Sequence, residues 1–197
     1  MYITNKWSLT KEQIDWLLNL LNEFKPASVC ELGCGVSTKV FLDYIHNNGA
    51  SLLSFEHDPG FVFHDRTVIC ELVYTDRTCR YRDFEKSLPD GLIFDFILID
   101  APYSFDQRVI EARTEMLYFI RLGLISDSCV MIIHDSQRRN VSRTMRKLER
   151  EITRNGYTFT KEDDGRKDKM MTVYRITKTS PVAEVNPDRV NPCPRSF

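Results

Sequence analysis

The sequence lacks any long hydrophobic run: no stretch of about 18 apolar residues, the length of a membrane-spanning helix, occurs in it. Its N-terminus also lacks the basic and then apolar layout of a secretory signal peptide. Glycine and proline are scarce, at 8 each among 197 residues, which excludes collagen-like and low-complexity chains. We therefore expect a globular, cytoplasmic protein with no membrane partner.

An excess of charge of one sign is also absent. Lys and Arg number 27 against 28 Asp and Glu, so the net charge of -1 gives no overall attraction to nucleic acid. The six cysteines include no Cys-x-x-Cys pair and no cysteine and histidine cluster at zinc-binding spacing. Several cysteines lie within apolar runs, so we expect buried, reduced thiols rather than a disulfide framework.

The hydrophobic pattern alternates between strands and helices. Strands are predicted at 28–32, 51–55, 67–73, 94–99 and 129–133, and helices at about 10–26, 37–46, 105–122 and 140–155. Two further strands, 157–161 and 170–176, are joined by a turn-rich segment and should form a hairpin at the sheet edge. The expected fold class is α/β, a Rossmann-like, doubly wound, mostly parallel seven-stranded sheet with a terminal antiparallel hairpin. We expect one domain at 1–177 and a proline-containing tail at 178–197.

A glycine loop, Gly33-Cys34-Gly35, follows the first predicted strand. Glycines at this place let the backbone turn tightly and approach a ligand, while the next helix presents unpaired backbone N–H groups. Glu56 ends the second strand roughly 20 positions later, where a carboxylate can accept hydrogen bonds from a ribose diol. The combination indicates a cofactor that contains a nucleoside.

Glu31, two residues before the first glycine, distinguishes between such cofactors. A carboxylate there would repel a pyrophosphate, whereas it can help to hold the ammonium group of an amino-acid moiety, directly or through water. The residue therefore argues against NAD.

With these residues the chain resembles the class I S-adenosylmethionine-dependent methyltransferases. Their first motif is acid-x-Gly-x-Gly-x-Gly, which Glu31, Gly33 and Gly35 match, and Ser37 replaces the third glycine. The resemblance covers roughly residues 10 to 176 and implies that S-adenosylmethionine is the cofactor.

The resemblance also implies a set of cofactor-binding residues at the strand ends. Those for the methionine part are Glu31, Gly33, Cys34, Gly35, Ser37 and Thr38, with Asp100 near the transferred methyl group. Those for the ribose and adenine are Glu56, His57, Asp58 and Tyr81, the last together with Asp83. Tyr74 with Asp76 is the alternative aromatic and acid for the adenine.

Methyl transfer from a sulfonium is an in-line displacement, so the protein must align the nucleophile and, for a hydroxyl, remove its proton. His134 and Asp135 end the fifth strand at the carboxyl edge of the sheet, where ligands of open α/β sheets bind. The candidate catalytic residues are His134, Asp100 and Asp135. The alternative is that His134 only caps a strand end.

A second hypothesis places a divalent metal at the same edge. Asp100 and Asp135, with Asn140 or His134 nearby, offer the ligands that Mg2+ or Mn2+ prefers, and the ion would acidify a substrate hydroxyl. The arrangement resembles the metal-dependent catechol-type O-methyltransferases, whose fifth-strand Asp-Asn pair is here His134-Asp135. The sequence leaves the metal open.

The leading function is O-methylation, with a small-molecule or glycan hydroxyl as acceptor. Asp100-Ala-Pro-Tyr103 supports an alternative, because it resembles the Asp-Pro-Pro-Tyr motif of amino-methyltransferases, although Ala101 replaces the first proline. N-methylation of a base or protein side chain, or a non-catalytic cofactor-binding domain, therefore remains open. Arg138 and Arg139 would suit an acidic acceptor. Four aromatic residues are candidates for lining the acceptor pocket: Trp7, Trp16, Tyr103 and Phe105.

Overall fold

The computed structural model describes residues 9–75, 77–89, 91–102 and 109–179. Its helices are α1 (Lys11–Phe24), α2 (Val36–Asn48), α3 (Met116–Arg121) and α4 (Arg139–Arg154). Its strands are β1 (Ser28–Leu32), β2 (Ser51–Glu56), β3 (Thr67–Ile69), β4 (Leu72–Tyr74), β5 (Thr78–Tyr81), β6 (Phe94–Ile99), β7 (Glu111–Ala112), β8 (Ile125–Ile133), β9 (Tyr157–Asp163) and β10 (Thr172–Lys178). None of the helices in these ranges has the length and apolar character needed to span a bilayer.

Seven strands form the main sheet, in the order β3-β2-β1-β6-β8-β10-β9. The first five in this order pair in parallel, whereas β10 is antiparallel to both β8 and β9. This topology confirms the predicted α/β fold with a terminal hairpin. The parallel order arises because each buried strand is followed by a connection that returns over the sheet.

Alternate residues of the strands face two separate hydrophobic layers. On one face, Val29, Phe96 and Ile132 pack with apolar residues of α1 and α2. On the other face, Ile97 and Met131 pack with residues of α3, α4 and a small second sheet of order β4-β5-β7. The main sheet is therefore covered on both sides, and its ends remain the places where polar groups can gather.

Two predicted elements were wrong. The strand expected at 67–73 breaks after Ile69, because the chain leaves the main sheet and continues as β4 in the second sheet. The helix expected at 105–122 is helical in the described part only at Met116–Arg121. Residues 111–112 instead pair with β5, and Arg113 then adopts a left-handed backbone with φ of 59°, which prevents a continuous helix.

The strands that meet at the centre of the sheet end in register. Leu32 pairs with both Phe55 and Ile99, and Ile99 pairs with Ile133. The ladder continues for one more bond after each strand: Gly33 N to Phe55 O at 2.8 Å, Asp100 N to Leu32 O at 2.8 Å and His134 N to Ile99 O at 3.1 Å. The polar residues that follow these strands are thereby brought to one edge.

Gly33 meets the end of β6 more closely than any other residue type could. Its φ is 91°, and a Cβ atom built on it would lie 2.7 Å from the Cβ of Ala101. Gly35 differs, because its φ of 177° is extended and a Cβ there would meet nothing within 4 Å. The first glycine is required by the backbone and by packing, whereas the second leaves open space beside the loop.

We predict that Gly33→Ala lowers the free energy of unfolding by about 2–4 kcal/mol, since it adds backbone strain to an overpacked contact. Gly35→Ala is the matched control and should change stability by less than about 1 kcal/mol. Urea unfolding followed by circular dichroism measures both values. Equal stability of the two variants would contradict the role assigned to the contact between Gly33 and Ala101.

Candidate active site

The Glu31 carboxyl lies beneath the glycine loop and is fully buried. It accepts hydrogen bonds from the hydroxyls of Ser37 at 2.5 Å, Thr38 at 2.7 Å and Ser54 at 3.1 Å. Burial raises its pKa to about 8, although the three hydroxyl donors act in the opposite direction. In this arrangement Glu31 holds the start of α2 against β1 and β2, and it supports the loop from below.

Glu56 ties the same loop to the end of β2. Its Oε2 accepts a hydrogen bond from Cys34 N at 2.8 Å, and its Oε1 accepts from His57 N at 2.6 Å and Asp58 N at 3.0 Å. The ring Nδ1 of His57 lies 2.7 Å from the same Oε1. A carboxylate has about four acceptor sites, so Oε2 can accept one further bond from a ligand hydroxyl.

Asp100 and His134 form a hydrogen-bonded pair across the ends of β6 and β8. The distance from His134 Nδ1 to Asp100 Oδ1 is 2.7 Å, and the histidine is only 1% exposed. Because an ionised carboxylate only accepts, we assign the proton to Nδ1, which leaves the lone pair of a neutral ring on Nε2. That Nε2 is buried and has no partner among the residues that the structure describes.

Asp135 lies beside this pair and has two differently placed oxygens. Its Oδ2 is 2.9 Å from Nη2 of Arg138, whereas its Oδ1 is buried without a partner in the described part of the chain. The backbone of Asp135 is left-handed, with φ of 53°, which turns the chain sharply after β8. The turn keeps the carboxylate at the sheet edge instead of letting it follow the strand direction.

Arg113 is a site residue that the sequence analysis missed. It is only 1% exposed, and its guanidinium donates to the carbonyl oxygens of Ile99 at 3.0 Å, Asp100 at 2.8 Å and His134. Its Nη2 also lies 3.3 Å from Asp100 Oδ1 and 3.8 Å from Asp135 Oδ2. No sequence motif contains this arginine. The only feature that could have indicated its role is that a charged residue lies between the apolar positions of a helix-like pattern.

The charges of this cluster alter one another. Burial raises the pKa of Asp100, but the adjacent His134 ring and the Arg113 guanidinium outweigh it, and the resulting pKa lies below the usual value. Burial lowers the pKa of Arg113, which Asp100 and Asp135 oppose. Asp100 is therefore ionised at neutral pH, and its negative charge stabilises the protonated guanidinium of Arg113.

The metal hypothesis can be tested against the same geometry. Asp100, His134 and Asp135 offer ligand atoms that lie within 4.8 Å of one another. However, Nη2 of Arg113 already lies between the two carboxylates, and Asn140 uses its side-chain oxygen to accept from Val141 N at 2.9 Å. A resident dication fits poorly between Asp100 Oδ1 and Asp135 Oδ2, because the fixed positive charge of Arg113 holds that position.

The residues expected to bind adenine are either buried or already paired with other residues of the chain. Tyr81 is only 1% exposed, lies in the hydrophobic core and donates its hydroxyl to Phe55 O at 3.2 Å. Asp83 is exposed and pairs with Lys86 at 2.9 Å. Asp58 accepts from Gly60 N at 2.8 Å and begins a short 3-10 turn.

The aromatic residues expected to line an acceptor pocket are mostly not among those that the structure describes. Trp7, Tyr103 and Phe105, together with the alternative acid Asp76, lie outside the described residues. Trp16 packs against the core beneath α1. The structure therefore brings the strand-end residues together. The aromatic lining of the acceptor pocket stays a prediction.

The fold is similar to that of several solved methyltransferases. For the O-methyltransferase from Bacillus cereus in complex with SAH, the TM-score is 0.60 at 12% identity over 88% of this chain and 84% of that chain. For the O-methyltransferase TomG from Streptomyces achromogenes in complex with SAM, it is 0.59 at 12% identity, over 87% and 82%. For the SAH-bound methyltransferase PaMTH1 from Podospora anserina, it is 0.59 at 14% identity, over 88% and 81%.

No protein-family model matches the chain, and no curated protein matches it in sequence. At such low identity, the structural likeness shows the fold alone. That fold is the class I S-adenosylmethionine-dependent methyltransferase fold, as the glycine motif implied.

We predict a pH dependence of stability that arises from Glu31. Its pKa is raised to about 8 in the folded protein, so the protonated form is favoured there, and stability should fall as pH rises between about 4.5 and 8. One such group contributes a slope of up to about 1.4 kcal/mol per pH unit. Glu31→Gln should reduce the slope measured by urea unfolding over this range.

Glu85→Gln is the control, since Glu85 is exposed on a short 3-10 turn. It should leave the slope unchanged. An unaltered slope in Glu31→Gln would show that the buried carboxyl does not titrate in this range.

Proposed function

We propose that this protein is an S-adenosylmethionine-dependent methyltransferase that methylates a hydroxyl of a small molecule, with sugars included among the acceptors. The observation that carries the proposal is the hydrogen-bonded pair of Asp100 and His134 at the carboxyl edge of the sheet, in which the buried Nε2 of His134 has no partner among the described residues. The contact between Gly33 and Ala101 joins that loop to the residue after Asp100. The solved neighbours bound to SAM or SAH support the cofactor.

The loop and the end of β2 fit such a cofactor. Open space lies beside Gly35, and Glu56 Oε2 keeps one acceptor site for a ribose hydroxyl. When bound, the cofactor supplies an activated methyl group on a sulfonium. Glu31 acts indirectly in this proposal, because its carboxyl fixes Ser37 and Thr38 of the loop.

His134 is the general base of the proposed reaction. Its Nδ1 hydrogen bond to Asp100 fixes the ring orientation and leaves Nε2 to accept the proton of the acceptor hydroxyl. The negative charge of Asp100 stabilises the imidazolium that forms. Asp135 Oδ1, which is buried without a described partner, can accept a second hydrogen bond from the acceptor.

The same contacts favour oxygen over nitrogen as the methyl acceptor. An amino-methyltransferase needs the acid of its Asp-Pro-Pro-Tyr motif to hold the amine, but Asp100 here binds His134 and Arg113. A hydroxyl, in contrast, needs a base, and His134 provides one. For this reason N-methylation is the less supported function.

An acidic acceptor such as a uronate is the second candidate for the substrate class. Arg138 pairs with Asp135, whereas Arg139 is exposed at the start of α4, close in sequence to the proposed base. An arginine there can bind a carboxylate or phosphate through two parallel hydrogen bonds. Retained turnover of acidic acceptors by Arg139→Ala would count against this substrate class.

We predict micromolar binding of S-adenosylmethionine and S-adenosylhomocysteine, and no binding of NAD, in titration calorimetry. Glu56→Ala should weaken binding by about tenfold or more, since it removes both the ribose acceptor and the hydrogen bond that holds Cys34. Glu71→Ala, which removes an exposed carboxylate, is the control and should bind as the native protein does. Failure of both sulfur compounds to bind the native protein would refute the methyltransferase proposal.

We predict that His134→Ala lowers the methyl-transfer rate by about 100-fold to 10,000-fold, the range typical of a lost general base. Cofactor affinity should stay within a factor of about two, because the ring binds no part of the loop. His46→Ala, on the exposed face of α2, is the control. The assay is a screen of hydroxylated acceptors with labelled S-adenosylmethionine, and full activity of His134→Ala would remove the base assigned here.

A further inference from the structure

The buried guanidinium of Arg113 has no part in the reaction described so far. It donates to the carbonyls of Ile99 and Asp100 at the end of β6 and to that of His134 at the end of β8. A buried arginine is unfavourable unless charged and hydrogen-bonding partners surround it. Here the partners include the backbone and carboxylate of Asp100, which orients the proposed base, and the backbone carbonyl of His134, which is that base.

The positive charge of Arg113 lies close to two carboxylates. Nη2 lies 3.3 Å from Asp100 Oδ1 and 3.8 Å from Asp135 Oδ2, and Arg138 holds the same Asp135 oxygen at 2.9 Å. Two guanidinium groups thus balance two carboxylates without any added ion. A dication that bridged Asp100 Oδ1 and Asp135 Oδ2 would have to lie where Nη2 already lies, and one bound through Asp135 Oδ1 would be repelled by the adjacent guanidinium.

We propose that Arg113 is the resident cation of this site. It takes the place between Asp100 and Asp135 that a divalent metal would hold, and it positions Asp100 and His134 relative to each other. Methyl transfer then proceeds without a bound metal. Only this last statement rests on the proposed function, because the others concern the cluster itself.

A manganese titration tests the cluster without any assay of activity. The native protein, freed of metal with EDTA and dialysed, is titrated with Mn2+ at neutral pH while the electron paramagnetic resonance signal of free Mn2+ is recorded. We expect no saturable binding up to about 1 mM. Saturable binding by the native protein that is lost in Asp135→Asn would overturn the proposal.

Arg113→Met removes the charge and keeps an unbranched side chain. This variant should bind Mn2+ saturably with a Kd of about 0.1 mM or lower, at least tenfold below the 1 mM limit set for the native protein, and adding Asp135→Asn should abolish this binding. Arg143→Met, the same change on α4, is the matched control and should gain nothing. An Arg113→Met protein that folds by circular dichroism but gains no Mn2+ affinity would contradict the role of the guanidinium as the resident cation.

Arg113→Lys keeps a positive charge, but its three N–H donors lie on one nitrogen and cannot reproduce the two separate nitrogens with which Arg113 reaches Ile99, Asp100 and His134. With an acceptor from the screen, kcat should fall by about tenfold or more, while the Kd for S-adenosylmethionine and the KM for the acceptor stay within about twofold. An unchanged kcat would overturn the positioning role. The native rate should be equal in EDTA and in Mg2+, and a rate lost in EDTA that Mg2+ restores would overturn the metal independence.

The two arms separate this inference from the proposed function. If no acceptor is methylated and the cofactor does not bind, the proposed function fails. The manganese titrations still decide whether Arg113 is the resident cation of the cluster. If Arg113→Met does not fold, the native titration and Arg113→Lys decide it.

Discussion

Hydrogen bonds between parallel strands set the place of the acidic residues and the histidine at the edge of the sheet. β1, β2, β6 and β8 end level with one another, and the first residue after each strand either continues the ladder or turns out of it. Since successive side chains alternate between faces, a slip of one residue would turn Asp100 or His134 into a hydrophobic layer. The chemistry of the edge is therefore a consequence of strand register.

The site then depends on how its buried acidic side chains find hydrogen-bond donors. Each acid receives a different kind of donor: hydroxyl groups for Glu31, backbone N–H groups for Glu56, and the His134 ring with the Arg113 guanidinium for Asp100. Fixed donors of this kind need no reorganisation when charge develops during a reaction. In this way the protein supplies donors to Glu31, Glu56 and Asp100 from its own chain.

The sequence predicted those parts of the structure that depend on local patterns. The main strands, the glycine loop and the placing of Glu56 and His134 at strand ends all follow from hydrophobic runs and their spacing, and the structure has them there. The break after Ile69 and the short strand at 111–112 were missed, since both depend on pairing with β5, a partner that periodicity does not show. Tertiary pairing overrode local preference at both places.

Arg113 illustrates a further limit of sequence patterns. Its side chain binds residues 13 to 21 positions away, and nothing in its neighbourhood along the chain distinguishes it from a surface arginine. The metal hypothesis rests on the two aspartates, which are visible in the sequence, whereas the guanidinium beside them appears only in the structure.

The close approach of Gly33 to Ala101 brings the two halves of the site together. Gly33 begins the loop proposed to bind the cofactor, Ala101 follows the acid that orients the proposed base, and no space for a side chain remains between them. In-line transfer depends on the position of the nucleophile to within a fraction of an ångström. Backbone segments that lie this close, and that Arg113 and the parallel ladder hold in place, meet that requirement better than flexible side chains could.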